Sequence, residues 1–350
     1  MSERAACEQA LGIVVLTWNR CAEVLRTLAR LSALALDVPI VVVDNGSTDD
    51  TATAIAREFP AVTVVRLPRN FGAAGRNAGV EALDRPYIAF CDDDTWWTPG
   101  ALEHAVAVLD AHPRLAAVTA RVRVEPSGVD DPTSTRMRSS PFPNVLGVPG
   151  TELFGLLAGA CVMRRAAYRE AGGFERRFVI GGEEGLLAID LKTLGWHMAY
   201  LPDAVVCHAP SLVRNPTARR RLQSRNRMWC ACLRRTWRAA LRTAREELGA
   251  AVRNGNGLAT AASTLAGMGW VLRERRVAPQ TVQDALAELD AFVTDMEAQE
   301  RSVAALGPTR FRSSSLQAAT SAARPVEGLR DSTRPGRPES PPAGWAAPES

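Results

Sequence analysis

Apolar residues come in short, continuous runs along the first half of the chain. Leu11 to Thr17, Pro39 to Val43, Val62 to Leu67 and Pro86 to Cys91 are rich in Val and Ile and nearly free of polar positions. Runs of that length and type predict strands, the first, second and fourth of them buried. Between them the period changes. Ala22 to Leu36 sets Leu25, Leu28 and Leu31 at helical spacing, and Ser47 or Thr48 can cap a helix running to Phe59. A Gly-rich turn, Arg69 to Asn77, opens a further helix. Strands alternating with helices predict parallel βαβ units with right-handed crossovers.

The second half is less regular. Pro99 to Asp110 reads as a helix and Leu115 to Val124 as a longer strand. Glu125 to Gly150 is dense in Pro, Ser, Gly and Asp, which predicts a long functional or unstructured loop. Phe154 to Met163 resumes a strand pattern, and Arg164 to Glu170 is a short helix stopped by Gly172-Gly173. Gly185 to Leu194 is helical, and Trp196 to Leu201 and Ala204 to Cys207 are two short strands. From Thr217 the chain turns basic: Arg219 to Arg221, Arg225, Arg227, Arg234, Arg235 and Arg238 sit among Leu222, Met228, Trp229, Leu233 and Trp237. This predicts an amphipathic helix that either lies on an anionic membrane or packs on the domain with its arginines in water. A helical pair follows, Leu258 to Arg275 and Gln280 to Glu300. After Arg301 the chain has too few apolar residues to bury a core and is expected to be disordered.

Within this pattern one place is chemically odd. The strand ending at Cys91 runs straight into Asp92-Asp93-Asp94. Adjacent carboxylates repel one another, and a divalent cation or a loop fully open to water would relieve the repulsion. Ligand sites in open α/β sheets lie just past the carboxyl ends of strands. The overall balance changes little: with 46% hydrophobic residues and a formal charge of +4, a sizeable core is expected and general affinity for nucleic acid is not. Seven scattered cysteines without paired Cys-x-x-Cys units predict reduced thiols rather than zinc. No apolar run approaches the ~20 residues needed to span a bilayer, and no signal pattern opens the chain. The expected location is cytoplasmic, with peripheral contact to the inner membrane face left open through residues 217–242.

The order of motifs resembles the inverting glycosyltransferases of family 2. The stretches that carry the likeness are Ile13 to Arg20, VVVDNGSTDDT (41–51), PRNFGAAGRNAGV (68–80), FCDDD (90–94), GACVMRR (159–165), GGF (172–174), GGEEGLL (181–187) and GWHMAYLPDAVVCH (195–208). The resemblance implies a Rossmann-like α/β GT-A fold, with a mostly parallel central sheet flanked by helices and a C-terminal helical appendage. It implies a catalytic domain over 1–215, a helical extension over 216–300 and a tail over 301–350. The donor would be a nucleotide-diphospho-sugar. The acceptor would be a hydroxyl of a saccharide, a lipid-linked saccharide or a metabolite, for instance in cell-envelope synthesis.

The same resemblance assigns residues. Asp92 and Asp94 match the outer acids of an Asp-x-Asp motif, and His208 matches a histidine that completes a Mn²⁺ or Mg²⁺ site. Hard oxygen ligands suit either ion, and an imidazole tips the balance toward Mn²⁺. Donor contacts fall to Thr17, Asn19, Asp44, Arg76, Asp92 and Asp93. Glu184 matches the general base, with Glu183 as the alternative or as its orienting group; this chain carries Glu where Asp is usual. On the acceptor side, Trp96 and Trp97 either stack on a sugar or pack in the core. Two other functions stay open: a nucleotidyltransferase, although Leu11 to Arg20 lacks its signature, and a non-catalytic sugar-nucleotide-binding or scaffold protein.

Overall fold

The computed structural model describes residues 2–210 and 216–305. Contacts divide the chain into two compact units, Met1–Met296 and Glu297–Ser350. All that follows concerns the first. The expected disordered tail lies, from residue 306, outside the described residues; residues 301–305 continue the last helix.

The elements come in the expected alternation. They are α1 (Glu3–Ala10), β1 (Leu11–Thr17), α2 (Cys21–Ser32), β2 (Ile40–Asp44), α3 (Thr51–Glu58), β3 (Thr63–Arg66), α4 (Arg76–Ala82) and β4 (Tyr87–Asp92). β5 (Thr95–Trp97), α5 (Ala101–Ala111), β6 (Leu115–Val124), β7 (Val129–Asp130), α6 (Pro132–Arg138) and β8 (Thr151–Leu153) follow. Next come β9 (Cys161–Arg164), α7 (Arg165–Glu170), α8 (Glu183–Thr193) and β10 (His197–His208). The appendage is α9 (Pro216–Arg234), α10 (Trp237–Arg253), α11 (Gly257–Ala266), α12 (Met268–Glu274) and α13 (Gln280–Ala305).

One sheet orders the strands β3-β2-β1-β4-β9-β6-β10-β5, with β7 on β6 and β8 on β10. β3, β2, β1 and β4 are parallel, which puts the carboxyl ends of β1, β2 and β4 side by side. β9 enters antiparallel between β4 and β6, and β10 runs parallel to β6. The β-branched runs of β1, β2 and β4 are buried on both faces because a core cluster lies on each side of the sheet. Val14 and Val43 face one cluster, and Val15 and Val42 the other. A third cluster joins Phe178 and Leu186 to Trp229, Leu233, Trp270 and Val271, so the appendage shares a core with the sheet domain.

The stretch from Glu125, expected as a long loop, carries β7 and α6, with Asp131 capping α6 by accepting from the Thr133 N–H. Four further expectations shift, each for a tertiary reason. The two short strands after Gly195 are one strand, β10, whose register slips between Leu201 and Val205 where Pro202 and Asp203 bulge. The apolar run from Phe154 is only partly strand; a 3-10 turn at Ala158–Ala160 precedes β9, because Phe154, Leu156 and Ala158 are buried by packing instead of pairing. The basic helix is broken after Arg234: Thr236 caps a new helix by accepting from the Ala239 N–H at 3.3 Å. Its arginines are largely spent inside the chain. Arg234 pairs with Asp190 at 2.5 Å, Arg235 with Asp290 at 2.6 Å, and Arg225 lies 4.1 Å over the Trp229 ring. Finally, the expected helix from Leu258 to Arg275 divides at Gly267, where a Cβ would stand 2.2 Å from the Trp229 ring.

Candidate active site

β4 delivers the three acids, and the turn they form is tied down from several sides. The Asp92 N–H donates to Thr95 Oγ1 at 2.8 Å, Thr95 Oγ1 donates to the Gly159 carbonyl at 2.9 Å, and Thr27 Oγ1 donates to the Asp93 carbonyl at 2.8 Å. A turn held this way fixes where each side chain leaves the backbone: Asp92 meets one cation, and Asp93 and Asp94 share another. Asp92 pairs with the buried Arg76. Asp93 accepts from Thr17 Oγ1 at 3.1 Å and from Arg20 Nη1 at 2.6 Å. Asp94 accepts from Arg20 Nη2 at 3.0 Å and has Oδ1 3.6 Å from His208 Nε2.

The electrostatics follow from burial and neighbours. Burial pushes the Asp93 carboxyl up to about 7; Arg20 pulls it down, and Asp94 and Asp92 push it further up. For Arg76 burial opposes the charge, but Asp92, Glu183 and Glu184 outweigh it and raise its pKa. Arg20, to which the sequence assigns no role, is the cation that pairs with both Asp93 and Asp94. No local signal could have found it, because its partners are 73 and 74 residues away.

At the ends of β1 and β2 the polar residues join the loops to one another. The Asn19 N–H donates to Ser47 Oγ at 2.9 Å, and Asn19 Oδ1 accepts from the Thr48 N–H at 2.8 Å. Asp44 is buried; Oδ1 accepts from the Ser47 N–H at 2.9 Å, and Oδ2 lies 3.4 Å from Arg66 Nε. Asn45 donates to Asn70 Oδ1 at 3.0 Å and to the Gly72 carbonyl at 2.9 Å, which locks the Gly-rich turn onto β2.

Glu183 and Glu184 open α8. Glu184 Oε1 accepts from the Ala158 N–H at 2.6 Å. The next residue, Gly159, lies against Asp92: a Cβ there would be 2.7 Å from Asp92 Oδ2. Glu184 and Asp92 thus both lie against one short backbone segment. Burial pushes the Glu184 carboxyl up to about 7, Glu183 adds to the rise, and the Ala158 N–H opposes it. Burial also raises Glu183, whose Oε2 has no hydrogen-bond partner.

Residues 12–172 match the family model described as glycosyl transferase family 2. Residues 12–172 belong to glycosyl transferase family 2. The chain is 28% identical over 245 residues to N-acetylglucosaminyl-diphospho-decaprenol L-rhamnosyltransferase of Mycobacterium tuberculosis strain H37Rv, spanning 59% of this chain and 79% of that one. It is 35% identical over 97 residues to the uncharacterized glycosyltransferase YwdF of Bacillus subtilis, spanning 27% and 35% of the two chains. Among solved structures, the fold is similar to mannosyltransferase PcManGT from Pyrobaculum calidifontis in complex with GDP-Man and Mn²⁺ (TM-score 0.52, 20% identity, 81% of this chain and 86% of that one). It is also similar to residues 1–349 of S. aureus TarS in complex with UDP-GlcNAc (TM-score 0.52, 18% identity, 78% and 82% of the chains). The activity is that of a nucleotide-sugar-dependent glycosyltransferase.

In this glycosyltransferase several expected site residues turn inward. Trp97 is only 1% exposed and belongs to the core, so it stacks on no sugar. Trp96 pairs with Cys207, and His208 with Thr95. Neighbours along a strand face opposite ways, so Trp96 points away from the His208 side. It lines a separate cavity of about 480 Å³ with Arg30, Arg123 and Glu125. The Thr17 hydroxyl and the Asp93 carboxylate satisfy each other and Arg20 in the interior, and the Arg76 guanidinium is committed to Asp92. As for the metal set, Asp94 and His208 approach one another, Asp92 turns to Arg76, and among the described residues no three such groups converge as a metal cluster.

One residue beyond the family motifs positions the acids of α8. Asn226 of α9 is 0% exposed, and its amide reaches the carbonyls of Phe178, Ile180 and Gly181 at 2.7, 3.1 and 2.6 Å. It holds a strained loop: Val179, a β-branched residue, has φ +63°, and Gly181 and Gly182 have φ +82° and +90°. The Val179 carbonyl accepts from the Ala73 N–H at 2.6 Å, which ties this loop to the Gly-rich turn. Asn226→Ala leaves buried carbonyls unpaired and loosens the start of α8. The expected result is a kcat lower by about 10²-fold, as for a ~1 Å misplacement, with donor KM near wild type. Steady-state kinetics with varied donor measure it, and an unchanged kcat would show that the loop holds without the amide.

Proposed function

We propose that the enzyme inverts the anomeric centre in one in-line displacement. Glu184 takes the proton of the acceptor hydroxyl. The freed oxygen bonds to the anomeric carbon, the bond from that carbon to the diphosphate breaks, and the nucleoside diphosphate leaves. The observation that carries this reading is that Glu184 and Asp92 both lie against Ala158-Gly159, with Glu184 held at 2.6 Å by a backbone N–H. A carboxyl pushed up to about 7 is matched to proton abstraction near neutral pH.

The residues suit a divalent cation: Asp94 and His208 supply one hard oxygen and one imidazole 3.6 Å apart, and such ions commonly take only one or two protein carboxylates beside substrate phosphates. When bound, Mn²⁺ or Mg²⁺ offsets the charge that grows on the departing diphosphate. The solved mannosyltransferase with GDP-Man and Mn²⁺ shares the fold, which supports Mn²⁺ here. The mycobacterial relative, named for an N-acetylglucosaminyl-diphospho-decaprenol acceptor, supports a lipid-linked saccharide acceptor and a place in cell-envelope synthesis.

A panel of UDP-, GDP- and dTDP-sugars is tested by thermal melting with and without Mn²⁺. The matching donor at about 100 times its Kd should stabilise the fold by about 2.7 kcal/mol, and only with the cation present. NMR of the product then reads the anomer. A retained configuration would overturn the displacement mechanism.

A further inference from the structure

The appendage carries a surface that the transfer reaction does not use. α11 has no charged residue. Its exposed positions, Leu258, Ala259, Ala262, Leu265 and Ala266, recur at one-turn spacing and form one apolar face. Leu258 is 91% and Leu265 70% exposed. Val252, also exposed, extends the patch: a Cβ on Gly257 would stand 2.5 Å from its Cγ2. Uncharged faces of this kind mark interaction sites.

The opposite face of α11 looks into a polar cavity. At about 100° per residue, Thr260 lies about 200° round the helix from Leu258. It is 0% exposed, its Oγ1 has no hydrogen-bond partner, and it lines a cavity of about 440 Å³ between α9, α10 and α11. Arg220, Arg221, Arg227, Asn254 and Asn256 line the same cavity. Glu247 is the one acid of the lining, paired with Arg227 at 2.9 Å.

We infer that this corner docks on an anionic lipid bilayer, with the apolar face of α11 in the interface and a lipid phosphate in the arginine-lined cavity behind it. The pairing of an apolar helical face with adjacent arginines is the composition of an interfacial helix. A second copy of the chain fits less well, because it would bring two arginine clusters together. The contact adds α11 to the stretch 217–242 from which membrane contact is expected, since Arg220, Arg221 and Arg227 of that stretch line the cavity. The inference goes beyond the transfer reaction, and its readout is binding, not turnover.

The full chain is floated with vesicles of phosphatidylcholine alone, or of phosphatidylcholine with about a third phosphatidylglycerol. Wild type should float with the anionic vesicles only. The variant with both Leu258→Asp and Leu265→Asp, and separately Arg221→Glu, should lose about tenfold or more of that binding. Their melting temperature and vesicle-free donor hydrolysis should stay unchanged, because the substituted side chains are at the surface. Equal binding by the double variant, equal binding to neutral vesicles, or no binding at all overturns the proposal. So does a dimer, seen by mass photometry, that the double variant abolishes. Stabilisation by inorganic phosphate without vesicle binding would identify a free anion instead.

Discussion

Asp94→Ala is expected to abolish sugar transfer, a loss of about 10²–10³-fold or more, the range seen when one group opposing transition-state charge is removed. The same variant should lose the Mn²⁺-dependent stabilisation by donor. The fold should survive, because Arg20 keeps its 2.6 Å contact to Asp93 and the turn keeps its backbone ties to Thr95 and Thr27. Thermal melting with Mn²⁺ and donor, run beside a transfer assay, separates the two effects. If the variant retains both turnover and the cation-dependent shift, the cation sits elsewhere. His208→Ala offers a graded comparison: with Asp94 intact it should weaken the dependence on Mn²⁺ and leave some transfer.

Glu184→Gln is the second large effect. Loss of a positioned base costs about 10²–10⁴-fold in kcat, and donor binding should persist. The pH profile gives an independent check. Only the ionised carboxylate can take a proton, and burial places its pKa at about 7. Wild-type kcat/KM should therefore rise about tenfold per pH unit below 7 and level off above it, a limb that the Gln variant lacks. Stability runs the other way. A carboxyl whose folded pKa is raised favours folding while protonated, and that contribution is lost as pH climbs from the ordinary carboxylate range through about 7. The Gln variant cannot ionise, so above pH 7 it should melt no lower than wild type. If Glu183→Gln is the inactive variant instead, the base is Glu183.

Much of the first half was legible because its physics is local. β1, β2 and β4 lie buried on both faces, so their sequences are unbroken apolar runs, and the acids at the end of β4 stand out against that background. The Glu183-Glu184 pair at the start of α8 was visible for a similar reason, since Gly181-Gly182 announces a turn and the acids suit a helix start. α1 was missed because its mixed polar sequence shows no clear stripe; a Ser2 cap and packing against α5 hold it.

The sequence by itself determined the alternating α/β architecture, the family motifs and the acid cluster. Each of these is written in residues close together in the chain. Only the tertiary structure decided which side chains meet. His208 reaches Asp94 because β10 pairs with β5 in a register that sets His208 opposite Thr95. That same register sends Trp96 to the other face, and core packing takes Trp97 out of reach of any substrate. Arg20 bridges two of the three acids, binding Asp93 and Asp94 at once, with Asp94 also beside the imidazole. Asn226 holds the loop before Glu183 and Glu184 from 45 to 48 residues away. Such contacts depend on strand register and on the burial of charge against a specific partner, and neither is set by neighbours in sequence.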